Sequence, residues 1–146
     1  MLSIIGIGLN DEKDITLKGL ELVKQSDFVY LENYTSILQC DVKSLEKFYN
    51  KKIILADRKI VEQEAEKTIL ANAKTKNVSL LVVGDTLSAT THIDLLKRAR
   101  DLGIKVNIVH NASILTAVAE TGLQLYKFVL DNWLLDTHFV YHRTRY

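Results

Sequence analysis

The sequence predicts an α/β fold: a mostly parallel five-stranded sheet with helices on both faces. Three observations predict it. Short apolar runs alternate with helical patterns along the chain. Most of those runs lack in–out alternation, which is how strands covered on both faces read. No linker rich in Gly, Ser or Pro and no internal repeat divides the 146 residues, a length that suits one domain.

The first strand is predicted at Leu2–Ile5, and the helix after it at Asp14–Gln25, with Leu17, Leu20 and Val23 on one side. Phe28–Leu31 is the second strand. The helix Asp41–Tyr49 gathers Val42, Leu45, Phe48 and Tyr49. Ile53–Ala56 is the third strand. In Val61–Ala73 the apolar series Val61, Ala65, Ile69 and Ala73 advances in a strict step of four, read as one helix. Val78–Val83 is the fourth strand. The next helix, His92–Leu102, buries Leu95, Leu96, Ala99 and Leu102; Thr91 with Asp94 marks its start and Gly103 its stop. Val106–Val109 is the fifth strand, followed by a helix over Ala112–Thr121. Such strand–helix alternation is the signature of a parallel sheet.

Composition excludes several function classes. Nineteen basic residues nearly balance eighteen acidic ones, against a nucleic-acid or membrane-surface role driven by bulk charge. Cys40 is the only cysteine, so a disulfide scaffold is excluded and a reducing compartment is expected. No apolar run approaches the roughly 20 residues of a membrane span. The start MLSIIGIGLNDEKD does not read as a signal peptide, so the cytoplasm is the expected location.

Ligands of open α/β sheets bind beyond the carboxyl ends of the strands. After the first strand comes GIGLND, where Gly6 and Gly8 permit close approach of a ligand or of another backbone. A dinucleotide fingerprint needs a third glycine where Asp11 stands, which weighs against a pyrophosphate there and against a dinucleotide-dependent oxidoreductase. After the fourth strand comes GDTLSATTH. Asp85 can hold ribose hydroxyls or a cation, or can cap the next helix or turn; the density of hydroxyls at Thr86, Ser88, Thr90 and Thr91 favours a site. After the fifth comes HNAS, in which Asn111 or Ser113 is a candidate cap and His110 reads as a structural histidine rather than a base. His92 is read in the same way. His138 and His142 stand four apart but lack further zinc ligands, so no metal is expected. No spacing supports a Ser-His-Asp or Cys-His triad.

The stretches MLSIIGIGLNDEKDITLKGLELV, VYLENYTSIL, ADRKIVEQEAE, LLVVGDTLSATTH, VNIVHNASILTAV and TGLQLYKF together resemble the diphthine synthases. These belong to the tetrapyrrole-methylase-like class of S-adenosylmethionine (SAM) methyltransferases. The resemblance covers 1–128 and implies the N-terminal domain of that fold. It implies methyl transfer from SAM to the modified histidine of elongation factor 2 in diphthamide biosynthesis, with S-adenosylhomocysteine as product. It further implies a homodimer with no nucleic-acid or membrane partner. Residue by residue, it places cofactor contacts at Leu9, Asp85, Ser88, Ser113 and Ile114; it supplies no catalytic base. Two features depart from the family. Thr86 stands where the motif has proline. Residues 129–146, VLDNWLLDTHFVYHRTRY, form a divergent tail where the family continues into a second domain. The alternative expectation is a non-catalytic fragment that at most binds or self-associates.

Overall fold

The computed structural model describes residues 1–88 and 90–122. The predicted tail at 129–146, with His138 and His142, lies outside the described residues. Two compact units divide the chain, Met1–Ser113 and a second beginning at Ile114.

The first unit holds five strands: β1 (Leu2–Gly6), β2 (Phe28–Glu32), β3 (Ile54–Ala56), β4 (Val78–Val82) and β5 (Val106–Val109). All pairings are parallel, in the order β3-β2-β4-β1-β5. Each strand falls within a residue or two of its predicted run. Every residue of β1 and β4 is buried, because both strands are interior and covered on both faces. Leu2 and Ile4 point into one core with Val78, Leu80 and Val82; Ile5 joins Leu81 in the other. The period of two thus divides one apolar run between two cores.

Helix α1 (Leu17–Gln25) and helix α2 (Val42–Tyr49) cover one face. The segment 59–73 and helix α4 (His92–Asp101) cover the other. The connections move from β1 through β2 to β3 on the first face and return from β3 through β4 to β5 on the second. That reversal is what right-handed crossovers require of this strand order. It leaves β1 and β4 adjacent with their connections departing in opposite directions, which opens a crevice at their carboxyl ends.

Several expectations are corrected. The first helix starts at Leu17, not Asp14, because Thr16 caps it by accepting from Gly19 N. Its buried positions are Gly19 and Val23, while Leu17 is exposed; the missing side chain of Gly19 lets the helix settle on Ile5. Helix α2 buries Leu45 and Tyr49 but leaves Phe48 exposed, edge-on to Tyr49 at 5.8 Å. The segment 61–73 is not one helix: a π turn at Lys59–Gln63 and a 3-10 turn at Ala65–Lys67 precede a short α3 (Ile69–Ala73). Helix α4 starts directly after Thr91, as expected, although the Thr91 hydroxyl donates to Glu62 Oε1 at 3.0 Å rather than to the helix. In α4, Leu95, Leu96 and Ala99 are buried as expected and Leu102 is exposed. Gly103 ends the helix at φ +70°.

In the second unit the predicted helix is a short α5 (Ile114–Ala117) followed by a 3-10 turn at Val118–Thr121.

Candidate functional site

Three loops meet beyond the carboxyl ends of β4, β1 and β5. The turn after β1 is compact because two glycines make it so. A Cβ on Gly6 would lie 2.5 Å from the Gly84 carbonyl oxygen and 2.9 Å from Asn111 Cβ. Gly8 has φ +82°, and a Cβ there would lie 2.3 Å from Asp14 Cβ. Gly8 and Gly84 form an isolated antiparallel bridge, with Gly84 N donating to Gly8 O at 2.7 Å. Asp14, predicted to open a helix, instead accepts from Leu9 N at 3.2 Å and Asn10 N at 2.9 Å and so holds the turn from below.

Asp85 joins the β4 and β5 loops. Its Oδ1 accepts from Leu87 N at 3.0 Å and from the Ser88 hydroxyl at 3.1 Å. Its Oδ2 accepts from His110 Nδ1 at 2.8 Å and from Asn111 N at 3.1 Å. Burial pushes the Asp85 carboxyl up, but these donors, Leu87 and His110 foremost, outweigh it and hold the group below the ordinary aspartate value. Asn111 completes the junction. Its side-chain amide donates to Gly6 O at 2.9 Å and Asp14 O at 3.0 Å, and its Oδ1 accepts from Ala112 N at 2.7 Å.

The predicted site residues are thus largely brought together. Leu9, Asp85, Ser88 and Ser113 sit on the three converging loops; the Leu9 side chain and the Ala112 carbonyl lie 3.4 and 3.6 Å from where a Gly84 Cβ would stand. Asp85 and Ser113 are buried. Ile114 belongs to the second unit, where it is the exposed first residue of α5. Sequence reasoning missed Asp14 and Asn111 as the two side chains that tie the turn, and it gave His110 no partner. One signal was present: His110 and Asn111 are the two residues that follow the end of β5. Among the described residues no group of three His, Cys, Asp or Glu is placed to hold a metal. No described helix is long and apolar enough to cross a membrane.

The arrangement gathers backbone groups, small hydroxyls and an aliphatic side chain beyond the strand ends at a topological switch point, where open α/β sheets bind their ligands. The family model for tetrapyrrole (corrin/porphyrin) methylases matches residues 1–136, and the chain belongs to that family. Within it the chain is similar to proteins named diphthine methyl ester synthase. It is 57% identical over 128 residues to that of Bos taurus, covering 88% of this chain and 45% of the relative. To that of Yarrowia lipolytica it is 51% identical over 148 residues, covering 95% and 49%. A crystal structure of diphthine synthase superposes with TM-score 0.82 at 43% identity, over 86% of this chain and 50% of that one. The chain spans about half the length of the relatives it matches.

Proposed function

We propose that this chain carries the SAM-binding site of a methyltransferase of the diphthine synthase type, acting on the modified histidine of elongation factor 2 in the cytoplasm. The observation that carries the reading is the Asp85 junction. One carboxylate fixes the β4 loop to the β5 loop beside the β1 turn, in a chain of the methylase family. The residues fit the cofactor. All four hydrogen bonds of the Asp85 carboxylate go to the protein, so its part is to present its own backbone and Ser88 to the cofactor. The Ser88 hydroxyl donates to Asp85 and keeps lone pairs to accept from a ribose or amine. Leu9 offers an apolar wall from the β1 turn, and Ser113 stands on the loop after β5. When bound, SAM supplies an activated methyl group for in-line displacement, which needs positioning and exclusion of water rather than a metal or a covalent enzyme intermediate. A homodimer is expected with it.

A second reading is a non-catalytic binding domain. Calorimetric titration of S-adenosylhomocysteine into the purified chain separates the two. Micromolar binding that collapses in Asp85→Ala is expected. No binding by a chain shown to be folded would sink the first reading for this chain.

A further inference from the structure

The Asp85 junction leaves one basic atom uncommitted. His110 opens the loop after β5, and its Nδ1 meets Asp85 Oδ2 at 2.8 Å. The carboxylate side chain is 8% exposed and the imidazole 67%. The donors around Asp85 keep it ionised, so it can only accept, and Nδ1 carries the hydrogen of that bond. In the neutral ring the free lone pair then lies on Nε2, which has no hydrogen-bond partner among the described residues. The sequence alone reads His110 as structural, and its pairing with Asp85 changes that reading. A histidine that only fastens a loop needs its donor nitrogen and nothing more. A buried carboxylate that orients an exposed imidazole through one nitrogen also prepares the other as a general base.

That nitrogen stands among the groups already assembled at the strand ends. Ser88 donates to the other oxygen of the same carboxylate. Asn111, next in sequence to His110, bonds both Asp85 Oδ2 and the Gly6 carbonyl. His110 is the one imidazole among the described residues of the three loops. Two carboxylates of the β1 turn are committed: Asp14 accepts from Leu9 N and Asn10 N, and Asp11 from Lys13 N and the Asn10 side chain.

An aliphatic amine near neutral pH is mostly ammonium, and its nitrogen then has no lone pair with which to attack a methyl group. We propose that His110, oriented by Asp85, is the catalytic base that takes the proton from the acceptor amine, a role that rests on the methyl-transfer reading above. The N–H bond of the ammonium breaks, its electron pair stays on the acceptor nitrogen, and an N–H bond forms at His110 Nε2. The positive charge passes to the imidazolium, which the Asp85 carboxylate stabilises from 2.8 Å away. The freed nitrogen can receive the methyl group that SAM supplies. The exposed ring returns its proton to water.

Two measurements on the full chain test the base. The first needs no turnover. Long-range proton–nitrogen NMR correlations, assigned from the His110 backbone at a pH where the ring is neutral, show which nitrogen bears the hydrogen. Hydrogen on Nδ1 and a bare Nε2 are expected, with and without S-adenosylhomocysteine. Hydrogen on Nε2 would overturn the proposal even if no variant folds. The second follows tritium from methyl-labelled SAM into elongation factor 2 carrying the unmethylated modified histidine. Only alkali-stable label is counted, which excludes methyl esters. His110→Asn keeps a donor for Asp85 and removes the base. It is expected to lower kcat at least about 100-fold while the acceptor KM and the S-adenosylhomocysteine Kd stay within about threefold. In His110→Ala, added imidazole is expected to raise the residual rate about tenfold. Undiminished turnover in His110→Asn, or a loss matched by lost cofactor binding, would overturn the base and leave the methyl-transfer reading standing. Cofactor binding without any transfer by the unaltered chain also removes the base from this chain. Failure of the unaltered chain to bind S-adenosylhomocysteine sinks the methyl-transfer reading, and the base with it.

Discussion

Asp85 shows how a residue can be essential to a site without offering it a free atom. A carboxylate with its lone pairs met by two backbone amides, a hydroxyl and an imidazole is a fastener. Asn111 is the second fastener, and its amide meets two backbone carbonyls that no other side chain is shown to reach. Asn111→Ala is therefore expected to cost about 1–3 kcal/mol in urea unfolding and to weaken S-adenosylhomocysteine binding together with stability. Unchanged stability would show that water replaces the amide at no cost. Thr86 predicts the opposite sign. Its hydroxyl is buried and unpartnered, so Thr86→Val, which keeps the shape, is expected to leave the free chain as stable or to raise it by about 1 kcal/mol. A clear loss of stability would mean that the hydroxyl is bonded in solution.

At the scale of elements, the strands were legible and the segment between β3 and β4 was not. Strands buried on both faces must be apolar throughout, and the runs at 2–5, 28–31, 78–83 and 106–109 carry that demand openly. The series Val61, Ala65, Ile69 and Ala73 also identified buried positions correctly, since all four are at most 2% exposed. What it did not identify was the helix type. An α-helix turns about 100° per residue, so a strict step of four drifts about 40° each time and would carry the stripe off the sheet within three steps. A wide turn at Lys59–Gln63 and a break at Thr68 keep every fourth residue facing the sheet. The step of four was thus itself the sign of irregular helix. This segment should open more readily than the rest: amides of residues 61–67 are expected to exchange with solvent at least tenfold faster than those of β1 and β4. Equal protection would contradict it. Alpha1 teaches the same lesson from the other side, because Gly19 docks on Ile5 by lacking a side chain, and no apolar periodicity marks an absent atom.

At the scale of the whole first unit, the site was legible where chemistry sits at strand ends and illegible where it depends on which strands are neighbours. Gly6 closes β1, and Asp85 and Ser113 lie beyond the ends of β4 and β5, so a local reading singles them out. That Asn111 meets Gly6, and that Glu32 stands near His92, follows only from the order β3-β2-β4-β1-β5, which no local pattern states. The same neighbourhood sets the response of the unit to acid. Burial lowers the affinity of His92 for a proton, against the opposing pull of Glu32, the Thr86 carbonyl and Glu62. Its folded pKa thus lies below the unfolded value near 6.5. Between those two values the unfolded chain binds more protons, so stability that is complete above about pH 6.5 is lost as pH falls toward the folded pKa. Asp85 follows the same sign lower down: its folded pKa lies below the unfolded value near 3.9, and its contribution, present above that value, is lost as pH falls through the folded one. Asp41, Glu46 and Glu66 are also held low by hydrogen bonds and add to this lower limb. Stability against urea is therefore expected to fall in two separate stages on acidification. His92→Gln should flatten the stage just below neutrality and leave the lower one, while Asp85→Asn should shrink only the lower. A single acid transition, or an upper stage that survives in His92→Gln, would show that His92 is not held neutral by the fold.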